Sequence, residues 1–284
     1  FFILFFLTLP RPPHSTLFPY TTLFRSAHTH GYGIGRSYTE TEEYRPVSWV
    51  QKIRDILDGG EVSGTLCCSD LSTPHAHFER NNQELLDLAA EYGKNRLQIA
   101  AMIHPNKPDW KDVAPRWFDA YPQLTAIKLK TERTNCPMTA DWIDPIFEFA
   151  MERDLVVVAH TQPDPGYSSI AFSPSLKRFP CVKLVLYHAS LNEEAAYLAA
   201  CYQTVYVEPS RMGMNANLFS IMKKLGGYKK LIAGTDGPGW FSSFDGSPYL
   251  DLINIVRPWL PDDDALNAYL YGNAARLFKL DTEG

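Results

Sequence analysis

From residue 27 onward, short apolar runs rich in β-branched residues alternate with longer stretches in which apolar positions recur every three or four residues. Such alternation reads as βα units laid into a parallel sheet. The runs predict strands over Glu61–Cys68, Arg96–Ile103, Leu124–Lys130, Leu155–His160, Val182–His188, Thr204–Glu208 and Leu231–Asp236, with Ala27–His30 as the remnant of a first strand. Helical stretches fall between them: Asn81–Tyr92 has apolar positions at Leu85, Leu88 and Ala89, and Asp141–Arg153 has Ile143, Ile146, Phe147 and Ala150. Eight such units in about 250 residues is the size of a (β/α)8 barrel, whose chemistry sits at the C-terminal ends of the strands. The expected architecture is therefore α/β, a single TIM-barrel domain over 27–284. A doubly wound open sheet is the alternative, but Gly31-Tyr-Gly-Ile-Gly35 lacks the spacing of a nucleotide fingerprint.

Residues 1–26 do not share the pattern. Phe1–Leu9 is apolar but too short to span a bilayer, and it lacks the basic region and small-residue cleavage site of a signal peptide. Arg11–Ser26 resembles a translated sequencing adapter. This segment is expected to lie outside the fold, as an artefactual or disordered leader.

Composition narrows the partners. With 45% hydrophobic and 21% charged residues, 284 residues can bury one large core or two modest ones. A net charge of −5 and no cluster of Lys and Arg argue against nucleic acid, since phosphate binding needs a basic face. A small-molecule substrate and no membrane are expected, and a homo-oligomer is compatible with the composition. Five cysteines without C-x-x-C spacing, three of them in or beside predicted strands where buried thiols are common, suggest a reducing, cytoplasmic setting.

The predicted strand ends carry the candidate chemistry. His28 and His30, then His160, His188 and Asp236, all fall at or beside them. Residues i and i+2 of a strand face the same way, so His28 and His30 can point together into a barrel. That order of residues is what a barrel needs to gather ligands around one divalent metal. Imidazole and carboxylate suit Zn²⁺ or another borderline first-row ion. The alternative for His188 is a core histidine bonded to backbone. Lys128 and Lys130 share one face of the fourth strand, so at least one can point inward, where a buried ammonium is costly without a partner; the alternative is a stem that snorkels to solvent. Arg211, after the seventh strand, could fork onto a carboxylate, and Tyr32 and Arg36 are weaker candidates of the same kind. A second H-x-H, His75-Ala-His77, follows Thr73-Pro74, which reads as N-cap and N1; in a helix i and i+2 do not share a face, so these histidines are assigned to a helix entry or a pocket rim, and His104, after the third strand, could also line the rim.

His28-Thr-His30, Ala101-Met-Ile-His-Pro105, Ala126-Ile-Lys-Leu-Lys130, His160-Thr161, His188-Ala-Ser190, Glu208-Pro-Ser210, Gly234-Thr-Asp-Gly-Pro238 and Tyr271-Gly-Asn-Ala-Ala-Arg-Leu-Phe278 together resemble the amidohydrolase superfamily, in its amidohydrolase-related branch of metal-dependent hydrolases and decarboxylases. The resemblance runs over essentially all of 27–280. It implies that His28, His30, His160 and Asp236 hold the metal, that Asp236 takes a proton from water, and that His188 polarises a carbonyl or shuttles a proton. It also implies that the inward lysine, Lys128 or Lys130, pairs with a substrate carboxylate or, after carbamylation, bridges a second metal. The activity implied is hydrolysis of a small carboxylated ester, lactone or amide. Decarboxylation of a small, aromatic carboxylic acid is the alternative, and a non-catalytic or metal-free barrel a third. One departure is visible: Ser26 stands where the family usually has Asp, two residues before the first His.

Overall fold

The computed structural model describes residues 25–30, 53–54, 57–58, 64–68, 86–107, 109–131, 135–210, 214–236 and 248–280; for 25–30, 64, 65, 67 and 248–251 the description is of the backbone alone. Seven strands form one sheet in sequence order: β1 (Arg25–His30), β2 (Gly64–Cys68), β3 (Leu97–Met102), β4 (Leu124–Leu129), β5 (Val156–His160), β6 (Lys183–Tyr187) and β7 (Val205–Glu208). Every neighbouring pair is parallel. Parallel neighbours need a crossover, and helices supply it between β3 and β4 (Trp110–Ala120), β4 and β5 (Ala140–Glu152), and β6 and β7 (Asn192–Cys201). The architecture is a (β/α)8 barrel.

Alternation along the strands separates two cores. Leu66, Cys68, Ala100, Val156, Val158, Val185, Tyr187 and Ile232 cluster inside the barrel. Their neighbours Ile99, Ala101, Val157, Ala159, Leu184 and Leu186 join the larger layer beneath the helices. Strands buried on both faces explain why runs such as Val156-Val-Val-Ala159 are continuously apolar rather than alternating. Ala274, Leu277 and Phe278 of the last helix belong to the inner cluster, and Gln98 Nε2 at the start of β3 donates to the Phe278 carbonyl at 3.4 Å. This helix therefore plugs the end of the barrel opposite the candidate chemistry.

Two sequence expectations change. Among the described residues the predicted eighth strand, Leu231–Asp236, makes one parallel bridge, Val207 to Leu231, with Ile232 N–H donating to Val207 O at 2.9 Å. Beyond it Ala233 N–H donates instead to Tyr269 O at 3.0 Å, in the π-turn Ala268–Gly272, so a helix carbonyl takes a ladder position. The second change is the start of β1, predicted at Ala27: Arg25 and Ser26 pair with Gly64 and Thr65. The last two residues before Ala27 satisfy the otherwise open edge of β2, which is reason enough for them to extend.

Asn273, in the Gly-Asn-Ala-Ala-Arg motif, is fully buried and donates through Nδ2 to Leu231 O at 2.6 Å and Tyr228 O at 3.0 Å. One amide thus ties the closing helix to the entry of the eighth position. Among the described residues no helix is long and apolar enough to cross a membrane.

Candidate active site

His160 is the last residue of β5 and His188 the first beyond β6. Their rings meet edge to face, centroids 4.5 Å apart and planes at 74°. Thr161 holds the two strand ends together, its hydroxyl donating to Tyr187 O at 2.8 Å and its N–H to the same oxygen at 3.3 Å. Past Tyr187 the backbone turns sharply: His188 has φ 73° and Ala189 φ 43°. Left-handed conformations of this kind in residues with a Cβ persist only where the surroundings fix them, and they concentrate at functional sites. Here the N–H of His188 donates to Glu208 O at 2.8 Å, continuing the β6–β7 ladder one step beyond the strand.

Asp236 repeats the device at the end of the eighth position, with φ 51° and a buried side chain. Its charge is felt by Glu208, Tyr187 and Cys68, which places all four groups in one electrostatic neighbourhood. Lys128, fully buried on β4, has its Nζ 4.1 Å from the centroid of the Tyr187 ring, a cation–π contact. The Tyr187 hydroxyl and the Cys68 thiol lie 3.7 Å apart. Burial raises both pKa values, the tyrosine's well above its ordinary value, so phenol and thiol stay neutral beside the Lys128 side chain. Lys130 lies half-buried just beyond β4.

Glu208 ends β7 and is fully buried. It accepts from the Ser210 N–H at Oε1 (3.0 Å) and from the Ser210 hydroxyl at Oε2 (2.9 Å). Burial pushes its carboxyl up to about 8, with the Asp236 charge adding to the rise and the Ser210 donors and Lys128 opposing it. Ser210 Oγ also stands 3.0 Å from His188 Nδ1. Gly234 makes room for this carboxylate: a Cβ there would lie 2.6 Å from Cδ of Glu208.

The fold thus gathers His160, His188, Lys128 and Asp236 at and just inside one barrel mouth. His28 and His30 lie on β1, where i and i+2 share a face, but their side chains are outside the described residues, as are Arg211, Tyr32, Arg36, His75 and His77. His104 is buried beside a small cleft between the end of β3 and the helix Trp110–Ala120, lined also by Met102, Trp110 and Trp117. Among the described residues no three His, Cys, Asp or Glu side chains converge as a metal centre. The donors that are described, the imidazole of His160 and the carboxylate of Asp236, fit a borderline divalent ion in kind, and the β1 histidines are the ones that would complete the set.

Sequence reasoning gave no role to Glu208, Ser210, Tyr187 or Cys68. A glutamate closing an apolar strand reads as a surface residue; the signal that could have found it is the inward parity shared with Tyr206 on the same strand and with Asp236 on the next. Of the cysteines, Cys68 and Cys136 are buried, whereas Cys181, expected to be a small buried thiol beside a strand, is exposed with Cys201.

A sequence model described as amidohydrolase matches residues 73–280. The fold is similar to that of a probable 2-pyrone-4,6-dicarboxylic acid hydrolase from Acinetobacter baumannii solved with citric acid bound (18% identity, 90% of this chain and 99% of that one covered, TM-score 0.65). It is also similar to 5-carboxyvanillate decarboxylase LigW from Sphingomonas paucimobilis (13%, 92% and 100%, TM-score 0.63) and to Metarhizium anisopliae IDCase in its apo form (14%, 92% and 98%, TM-score 0.70). No match is found among curated proteins. Amidohydrolases are generally metal-dependent enzymes that act on small molecules. With the matched segment spanning β3 to the closing helix and the strand-end histidines and aspartate at one mouth, the chain belongs to the amidohydrolase family and is an enzyme.

Proposed function

We propose that this enzyme hydrolyses a small carboxylated ester, lactone or amide at the mouth of the barrel. The observation that carries the reading is the pair of carboxyl groups, Glu208 and Asp236, in one buried neighbourhood with Lys128. Neighbouring carboxyls in different surroundings are a common device for dividing acid and base roles. Burial, which raises Glu208 to about 8, suits it to carry a proton, and we assign Asp236 as the group that accepts one.

A divalent ion, Zn²⁺ or another first-row metal, held by His28, His30, His160 and Asp236, would polarise the substrate carbonyl and acidify water. The rest falls to the protein. Asp236 takes the proton of the attacking water, whose oxygen joins the acyl carbon as the bond to the leaving oxygen or nitrogen breaks. His188, packed on His160, returns a proton to the leaving group. Lys128 and Arg211 supply positive charge for the substrate carboxylate, in keeping with the citric acid bound in the Acinetobacter relative. The five cysteines, without C-x-x-C spacing, accord with a cytoplasmic enzyme.

Decarboxylation is the second reading, favoured by one observation: a carboxyl protonated near neutrality, linked through Ser210 to His188, is a proton source for a carbanion. Turnover in water enriched in heavy oxygen separates the two. Label in the product supports hydrolysis; unlabelled product with carbon dioxide released supports decarboxylation. In either case Asp236→Asn should lower turnover by about 10² or more while leaving the fold intact. Full activity in that variant would overturn the assignment.

A further inference from the structure

Glu208 and Ser210 lie outside the ligand set proposed above, and two hydrogen bonds tie them to each other. Three bonds run in series: Ser210 N–H to Glu208 Oε1 at 3.0 Å, Ser210 Oγ to Glu208 Oε2 at 2.9 Å, and Ser210 Oγ to His188 Nδ1 at 3.0 Å. All three residues are buried, so each bond is made away from competing water. We infer that Glu208 and Ser210 are positioning residues for His188: they lock its ring through Nδ1 and, according to whether Glu208 is ionised, fix which ring nitrogen carries the proton.

The direction follows from donor counting. A hydroxyl has one hydrogen and two lone pairs. When Glu208 is ionised, its two oxygens accept the N–H and the O–H of Ser210, so the serine can meet His188 only with a lone pair. Nδ1 must then be the donor, and Nε2, at the far edge of the ring, is left as an acceptor for a substrate or water proton. A glutamine in place of Glu208 reverses the chain. The backbone N–H of Ser210 is an obligatory donor and claims the amide oxygen, which turns the amide N–H₂ toward Oγ. The serine hydrogen must then point to Nδ1, and the histidine proton moves to Nε2. The role assigned to His188 in catalysis rests on the proposed function, but the state of its ring does not.

The test reads the ring itself. The full chain, with histidine rings labelled with nitrogen-15, is compared by NMR at a pH above 9, where Glu208 is ionised, and the His188 signals are assigned by their loss in His188→Gln. The parent should show one tautomer with the proton on Nδ1, Glu208→Gln should show the opposite tautomer, and Ser210→Ala should show an average of the two. Ser210→Thr, which keeps the hydroxyl, should retain the parent pattern. A parent ring protonated on Nε2, or a ring unchanged in Glu208→Gln or in Ser210→Ala, overturns the inference. Should Glu208→Gln fail to fold, the contrast between Ser210→Ala and Ser210→Thr decides alone. Because the readout is a ring nitrogen and not turnover, a failed hydrolase assignment leaves this result standing, and the converse also holds.

Discussion

Replacing Gly234 with alanine should be one of the costliest single-methyl changes in this protein. The added Cβ would lie 2.6 Å from Cδ and 2.7 Å from Cγ of Glu208, and nearer still to Oε1, inside any contact that real Cβ atoms make. Something must move. Gly234 sits on the backbone of the eighth position, held by the bonds of Ile232 and Ala233, so the glutamate is the softer partner. Its carboxyl, however, is tied to Ser210 at 3.0 and 2.9 Å. Overpacking of this kind costs about 1–3 kcal/mol, and leaving the buried Ser210 N–H without its acceptor costs about 1–3 kcal/mol more. A loss of roughly 2–6 kcal/mol is expected. The assay is urea unfolding followed by both circular dichroism and tryptophan fluorescence, so that coincident transitions justify a single free energy. A double-mutant cycle with Glu208→Ala isolates the clash, because truncating the glutamate removes the atoms the methyl would meet. Gly234→Ala should cost much less in that background, by on the order of 2 kcal/mol. If the two changes are additive, or if Gly234→Ala alone costs under about 0.5 kcal/mol, the close approach of Gly234 to Glu208 does not exist.

Other outcomes follow from the same network. Glu208, raised from 4.5 to about 8, holds a proton in the folded protein that the unfolded chain releases. Its contribution is fully present below about pH 4.5 and is lost as pH rises toward 8, so metal-stripped parent should lose up to about 1.4 kcal/mol per pH unit across that window relative to Glu208→Gln; parallel curves would refute the buried-acid assignment. Asn273→Ala removes the donor to Leu231 O and Tyr228 O and should cost about 1–3 kcal/mol in thermal unfolding. Asn273→Asp should be worse at neutral pH, since a carboxylate would face two carbonyl oxygens.

The hydrophobic pattern by itself determined the order of strands and helices, because parallel strands buried on both faces leave continuous apolar runs that few other elements produce. It also determined where chemistry could lie, since polar residues that close such runs, His160, His188 and Asp236, have one end of the barrel to meet at. Pattern could not determine which residues of different strands touch. Parity assigns a face, but the meeting of Glu208 with Gly234, or of Lys128 with Tyr187, depends on the register between strands and on the shape of the closed sheet. Nor could it separate a burying glutamate from a surface one, because the same Val-Glu-Pro-Ser run would suit an exposed strand end. The shortened ladder at Leu231 was hidden for a related reason: its apolar residues do favour a strand, yet the N–H of Ala233 finds its acceptor on a helix 36 residues later in the chain, at Tyr269. Local preference set the elements, and contacts distant in sequence, made only when the barrel closed, decided the hydrogen bonds that give the site its buried charges.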